Sequence, residues 1–349
     1  MTIAVAVSGG VDSLVALALL KDRGHDVLAL HARFLPPATR TESVLNGLSE
    51  VCDRLGVPLE LVDLQQEFHS LVVRPFVKEY LDGRTPNPCA WCNRSIKFGL
   101  LLDAALELGA DSMATGHYAR VEHDPAHPPA LYRGADPVKE QSYFLSLLTP
   151  GQLCRAHFPL GGLLKSRVQQ EAARRGLPVP AVKESQEICF VPGNDYRSFI
   201  EQQGVQQGVP LPGPGDVSLA SGRVVGRHLG LWRYTLGQRR GLGIAHSEPL
   251  YVLGRDTASN TLLVGPREEL MTDRCTVSGL NMLVPFKQWP SPVLVQTIYR
   301  HAAKPAEVTP VGERFTVRFR SPRAKAAPGQ VAAFYSDRGR VLAGGTVHG

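Results

Sequence analysis

Six residues near the start of the chain, Ser8 to Ser13 (SGGVDS), combine two adjacent glycines with two hydroxyls and one carboxylate, a set suited to holding phosphate. Glycine lets the backbone approach an anion closely, and a helix that starts at once offers free N–H groups and a favourable dipole. The Ser8 and Ser13 hydroxyls add donors. Asp12 is a poor direct partner for phosphate and suits capping an N–H or holding Mg²⁺. Two glycines alone would fit any capped strand-to-helix turn, but the whole string after an apolar strand narrows the reading to nucleotide binding. The lysine and spacing of a Walker loop are absent.

The second group able to do chemistry is sulfur. Cys89 and Cys92 lie in TPNPCAWCN, before a stretch that reads as a helix over Asn93 to Leu108, and Cys189 lies far along the chain in ESQEICF. Asn93 reads as an N-cap, and a helix N-terminus beside Cys92 would favour its thiolate. A lone CxxC also fits half a zinc site or a pair of buried thiols, and no second CxxC is present. Cys52, Cys154 and Cys275 read as helix face, helix face and strand, and are assigned to packing.

The elements that must position these groups follow from periodicity. Ile3 to Val7, Val27 to Ala32 and Leu59 to Leu64 read as buried strands, and Val11 to Arg23 and Glu42 to Leu55 carry apolar residues at helical spacing. A strand at Asp111 to Thr115 ends at Gly116. The alternation predicts a doubly wound α/β domain with a parallel sheet, whose ligands bind outside the carboxyl ends of the strands. A Pro-punctuated segment, Pro178 to Pro192, reads as a loop closing this domain. Glycine and proline then become dense, which marks a small mixed domain. From about Leu270, runs such as VLVQTIYRH, RFTVRFR and QVAAFYS alternate at period two and predict a small antiparallel barrel or sandwich.

Taken in order, SGGVDS, GRTPNPCAWCNRSIKF, ATGHYAR, KEQSYFLS, ESQEICF and LGQRRGLGI resemble the tRNA-specific 2-thiouridylase family over nearly the whole chain. The loop itself resembles the PP-loop of ATP pyrophosphatases, which cleave ATP to AMP and pyrophosphate to adenylate a carbonyl oxygen. The resemblance implies an α/β protein in three parts: an N-terminal doubly wound parallel sheet of PP-loop ATPase type over 1–192, a small central domain over 193–268, and a C-terminal antiparallel β-barrel that binds tRNA over 269–349. It implies that Ala6, Val7, Ser8, Gly9, Gly10, Val11, Asp12 and Ser13 hold ATP, with Ala32 at the adenine and Gly116 completing the pocket. Cys189 resembles the position that accepts a persulfide, and Cys92 its partner nucleophile. Asn87, Pro88 and Cys89 fall where the target base is contacted, and Lys139, Glu140 and Gln141 where tRNA is gripped. His117, Tyr299, Arg300 and Gln330 match further tRNA contacts. Two departures stand out: HARFLPPATR differs from the family's longer segment, and Cys89 stands where some members carry aspartate.

The implied activity is replacement of O2 of the wobble uridine by sulfur, using ATP and Mg²⁺, with AMP and pyrophosphate released. A persulfide on Cys189 implies a sulfur-donor protein, and its discharge by Cys92 implies a disulfide. Alternatively, Cys89, Cys92 and Cys189 would bind three irons of a 4Fe-4S cluster and leave the fourth open. Two other classes are weighed: a PP-loop amide-forming ligase, which needs no cysteine pair, and a non-catalytic RNA-binding protein with a metal site, which leaves SGGVDS unused.

Composition agrees with such a protein. At 349 residues the chain has room for two or three domains, and 43% hydrophobic with 20% charged residues is ordinary for a globular protein. No apolar run approaches the ~20 residues of a membrane span, and the N-terminus lacks signal-peptide character. A cytoplasmic location is expected, and six cysteines are too few for a disulfide scaffold. From Leu270 to Gly349 eleven Lys and Arg face four Asp and Glu, so this part carries +7 in a chain of formal charge +6 and the remainder is near neutral. Such a basic part suits a phosphate backbone, as does a solvated surface.

Overall fold

The computed structural model describes residues 1–36, 39–178 and 188–348. Its first sheet has five strands, β1 (Thr2–Ala6), β2 (Asp26–Arg33), β3 (Leu59–Asp63), β4 (Ser112–Ala114) and β7 (Ala156–His157), in the order β3-β2-β1-β4-β7. Every pairing in it is parallel. A hairpin of β5 (Ala119–Asp124) and β6 (His127–Arg133), which periodicity did not reveal, stands outside that sheet.

Along β1, Ile3 and Val5 point into one core and Ala4 into the other, because successive side chains on a strand alternate between faces. Helices Val11–Asp22, Thr39–Leu55 and Lys165–Arg174 cover the first face, and the helical runs Arg74–Leu81 and Asn93–Leu101 the second. This is the doubly wound class that the alternation predicts. β3, expected to be buried, is an edge strand with Leu61 45% exposed, since no strand pairs beyond it. The helix expected from Asn93 begins earlier, at Pro88–Cys92, with Asn87 as its N-cap accepting from Ala90 N at 3.2 Å. The loop expected over Pro178 to Pro192 lies largely outside the described residues.

The central part is helix Tyr196–Gln207 followed by β8 (Gly215–Leu219), β9 (Val224–His228), β10 (Tyr251–Asp256) and β11 (Thr261–Gly265), a sheet in the order β10-β11-β8-β9. The rest is a closed barrel, β12 (Met271–Met282), β15 (Arg314–Ala324), β14 (Lys304–Val311), β13 (Val293–Gln296), β16 (Val331–Tyr335) and β17 (Val341–Val347) in order around the ring. Val317 and Phe319 fill its interior while Arg314, Arg318 and Arg320 face out. No described helix is long and apolar enough to cross a membrane.

The barrel is fastened to the first domain by buried and partly buried polar bonds. Tyr143 Oη donates to Val331 O at 2.8 Å, Thr85 N to Pro328 O at 2.7 Å, and Gln330 Nε2 to Thr85 O and Pro86 O at 2.9 and 3.1 Å. Asn281 Nδ2 donates to Ser146 O and Leu148 O, and the Arg133 guanidinium lies 3.9 Å over the Tyr335 ring. Gly344 of β17 rests directly on Ser146, and a Cβ there would collide with the Ser146 carbonyl and hydroxyl. Gly344→Ala is therefore expected to cost about 1–3 kcal/mol of stability through overpacking. Gly162→Ala, where a Cβ meets nothing within 4 Å, should stay near the parent, and urea unfolding of both variants checks the pair.

Candidate active site

The strand order reverses between β1 and β4, so a crevice opens outside their carboxyl ends. A cavity of about 490 Å³ lies there. Ala6, Val7, Ser8, Asp12 and Ser13 line it from the loop after β1, Ala32 from β2 and Gly116 from the turn after β4. Gly9, Gly10 and Val11 make the turn itself. Gly9 has φ +79°, and a Cβ on it would sit 2.8 Å from Val44 Cγ1. Gly10 caps helix Val11–Asp22 with no side-chain bond, which leaves first-turn N–H groups for a ligand. At Gly116 a Cβ would lie 2.9 Å from Asp12 C and Ser13 N, so glycine there lets the two turns touch.

Much of the loop's hydrogen bonding is internal. Ser13 Oγ donates to Gly10 O at 2.8 Å and accepts from Ser8 N at 3.2 Å. Asp12 neither caps the helix nor stands open to a metal. Its oxygens accept from Lys165 Nζ at 2.7 and 2.9 Å and from Tyr118 Oη at 2.7 Å. Burial and this bond push the Tyr118 hydroxyl pKa far above its usual range. Asp12 is the one carboxylate on the described walls, so none there is vacant for Mg²⁺.

A second cavity, of about 400 Å³, brings together residues distant in sequence. Asn87, Pro88, Cys89 and Cys92 line one side, Cys189 and Phe190 another, and Lys139 and Gln141 a third. The barrel contributes Tyr299, Arg300 and Gln330. Arg300, which lines this cavity, holds φ +65°, a left-handed conformation that costs a non-glycine residue roughly 1–2 kcal/mol. Glu140 stands apart from both cavities. Its carboxylate accepts from Ser142 N at 2.5 Å and faces Arg133 at 3.8 Å.

Six residues line both cavities: Asp12, Phe34, Lys97, His117, Gln141 and Cys189. Burial, reinforced by the positive charge of Lys97, holds His117 well below the usual imidazole pKa, so this ring is neutral. Thr115 Oγ1 lies 2.7 Å from its Nδ1. Gln141 Oε1 accepts from Tyr118 N at 3.0 Å, which fixes the amide's orientation. Desolvation by the surrounding walls raises the pKa of Cys89 and Cys189, although both keep surface exposed, and burial raises that of Cys92 to about 12, while Lys97 opposes the rise at all three. This corrects the expectation for Cys92: it ends helix Pro88–Cys92 and continues into Asn93–Leu101, so no helix N-terminus favours its thiolate. Asn93 is buried, donating to Phe144 O at 3.1 Å. Cys52 and Cys275 are buried as expected, whereas Cys154 ends a short helix and is exposed.

Among the described residues no three His, Cys, Asp or Glu side chains converge closely enough for a single metal ion. Cys89, Cys92 and Cys189 nevertheless line one cavity. Lys97, Lys165, Tyr118 and Phe34 were missed by sequence reasoning. Lys97 does lie inside the quoted string GRTPNPCAWCNRSIKF, five residues after Cys92, and that proximity was the available signal.

Comparison with known proteins follows the same division. Residues 1–193 match the tRNA methyl transferase HUP domain, 203–266 the tRNA methyl transferase PRC-barrel domain and 272–347 the aminomethyltransferase beta-barrel domain. The tRNA-specific 2-thiouridylase MnmA of Nitratidesulfovibrio vulgaris (strain DP4) is 51% identical, covering 100% of this chain and 99% of that protein. The proteins of the same name from Lawsonia intracellularis and Geobacter metallireducens are 48% and 44% identical, each over 99% of this chain and over 99% and 96% of their own lengths.

Raised thiol pKa values have a direct consequence. The reactive thiolate accumulates only as pH rises beyond the ordinary thiol range, so alkylation of Cys92 in the free protein should be slow at neutral pH. It should climb without reaching a plateau below about pH 11, given a pKa of about 12. Iodoacetamide labelling read by peptide mass spectrometry checks this, and a plateau near pH 8 would contradict it.

Proposed function

The chain belongs to the tRNA-specific 2-thiouridylase family, and from that premise we infer that it is an ATP-dependent tRNA uridine 2-sulfurtransferase. The observation that carries this reading is the common wall: a phosphate loop and a set of thiols open on two cavities that share six residues. A uracil at that junction would meet an α-phosphate from one side and a sulfur nucleophile from the other.

Uridine C2 is a poor electrophile because nitrogen lone pairs on both sides feed it. Its O2 attacks the α-phosphorus of ATP, pyrophosphate leaves, and the C2–O bond becomes one that AMP can break. The uncapped N–H groups that follow Gly10 are suited to receive the phosphates, and their fixed orientation favours the charge that develops. The base must leave the anticodon stack to be reached. It would enter between helix Pro88–Cys92 and the barrel residues Tyr299 and Arg300, with Lys139 and Arg300 meeting the backbone phosphates.

Sulfur comes from a persulfide-carrying donor protein and is held on Cys189. The outer sulfur attacks C2 and AMP departs with the original oxygen. Cys92 then attacks Cys189 Sγ, forming a Cys92–Cys189 disulfide and leaving the outer sulfur on C2 as the thiocarbonyl. A thiol reductant returns the pair to two thiols. An amide-forming ligase would give neither cysteine a task.

The three thiols support one further reading of the same site. Cys89, Cys92 and Cys189 would hold three irons of a 4Fe-4S cluster, which supplies an iron with an open position for sulfide. Anaerobic reconstitution of the parent and Cys89→Ala, followed by absorption and Mössbauer spectroscopy, separates the routes. The persulfide route expects Cys89→Ala to thiolate tRNA at the parental rate in iron-free buffer; iron bound by the parent and lost with activity in the variant would assign the cluster.

The activity itself is tested by measuring pyrophosphate release with and without tRNA, alongside 2-thiouridine by nucleoside mass spectrometry. Asp12→Ala and Ser13→Ala should each lower pyrophosphate release by about 10²-fold or more while tRNA affinity stays within about threefold. Cys189→Ser should still release pyrophosphate and form no 2-thiouridine. Unchanged release in both loop variants would remove SGGVDS as the ATP site.

A further inference from the structure

Lys97 stands on the wide helical turns Asn93–Leu101, a geometry frequent at functional sites, and its side chain reaches the walls of both cavities. Of the five other residues common to them, Asp12 is engaged by Lys165 and Tyr118, and His117 is neutral. Phe34 carries no charge, Gln141 has its oxygen bound to Tyr118 N, and desolvation raises the pKa of the exposed Cys189 so that it stands as a thiol. Among the described residues common to both cavities, Lys97 is thus the one cation. No described side chain or backbone group gives its ammonium a hydrogen bond or an ion pair. Its charge nevertheless bears on Cys89, Cys92 and Cys189 together, so it faces the sulfur from the nucleotide side.

We propose that Lys97 is the catalytic cation of the junction: its ammonium binds the α-phosphate oxygens of the uridine adenylate and then stands beside the sulfur that displaces them. The inference rests on the thiolation reading. Negative charge moves during the reaction from the phosphates at O2 to the departing AMP, while an anionic sulfur approaches the same carbon. A point charge on a flexible four-carbon stem can follow that shift without leaving the wall. Without it, AMP leaves and sulfur approaches with no described cation on the wall common to both cavities, where uncompensated charge is most costly. The Lys165 ammonium, bound to Asp12, steadies the loop, and Lys97 serves the reacting atoms.

The test uses the full-length protein with its tRNA substrate and the variants Lys97→Met and Lys97→Arg. Lys97→Met should lower tRNA-dependent pyrophosphate release and 2-thiouridine formation by about 10²-fold or more, with tRNA affinity within about threefold of the parent. Lys97→Arg should restore at least about a tenth of the parental rate, because the charge is kept. Alkylation of Cys189 should require more alkaline pH in Lys97→Met than in the parent and regain the parental profile in Lys97→Arg, a readout that a packing defect would not move in this order. Parental rates in Lys97→Met, or equal losses in both variants with equal alkylation profiles, would overturn the role of Lys97 and leave the thiolation reading standing. A parent that releases no pyrophosphate with tRNA present would instead overturn the thiolation reading.

Discussion

The Gln330 side chain, whose amide nitrogen bonds the carbonyls of Thr85 and Pro86, ties the barrel to the segment that carries the cysteines. With Thr85 N on Pro328 O and Tyr143 Oη on Val331 O, it fixes where the helix Pro88–Cys92 stands relative to Tyr299 and Arg300. These groups are buried or partly buried, and leaving a buried one unpaired costs on the order of 1–3 kcal/mol, so each bond penalises displacement of the barrel. The second cavity exists only when the two parts are joined, since each supplies one side of it. Gln330 is both a cavity residue and a fastener, and its donor is already spent on the backbone.

Charge within the site is arranged so that little is free before substrates arrive. Asp12 is neutralised by Lys165, His117 carries no proton in excess, and desolvation keeps the thiols uncharged. Lys97 opposes that burial without cancelling it. Such a site keeps its sulfur unreactive toward stray electrophiles, and the negative charge of ATP enters a cavity whose described walls already hold the cations Lys97 and Arg33.

Cys89 illustrates how a single position changes the chemistry open to a shared architecture. Three residues before Cys92, it lies one helical turn away on the same side of helix Pro88–Cys92 and lines the same cavity. A carboxylate there would carry charge at neutral pH and could trade protons with a thiol. A thiol there, its pKa raised by desolvation, is neutral, contributes a third soft ligand, and leaves the cavity without a base from that helix.

The local order of the chain was legible because local order depends on period and on residues with few conformations. Strand alternation in β1, glycines after it and Gly116 after β4 announced the parallel sheet and its loop, and alternating Val317, Phe319 and the outward arginines announced the barrel. The cap of helix Pro88–Cys92 was misplaced because Asn87 and Asn93 are equally good capping residues, and only the backbone path of the two prolines chooses between them. β3 read as buried because Leu59, Leu61 and Val62 are apolar, whereas exposure depends on whether another strand lies beyond it. The sequence alone determined which groups could bind phosphate and which could carry sulfur. The tertiary structure alone decided that Lys97, Asp12, His117, Gln141 and Cys189 share one wall, that Lys165 occupies Asp12, and that Glu140 turns away. Those facts depend on distances between segments far apart in the chain, set by packing helices on both faces of the sheet and the barrel on one side, and no local pattern encodes such distances.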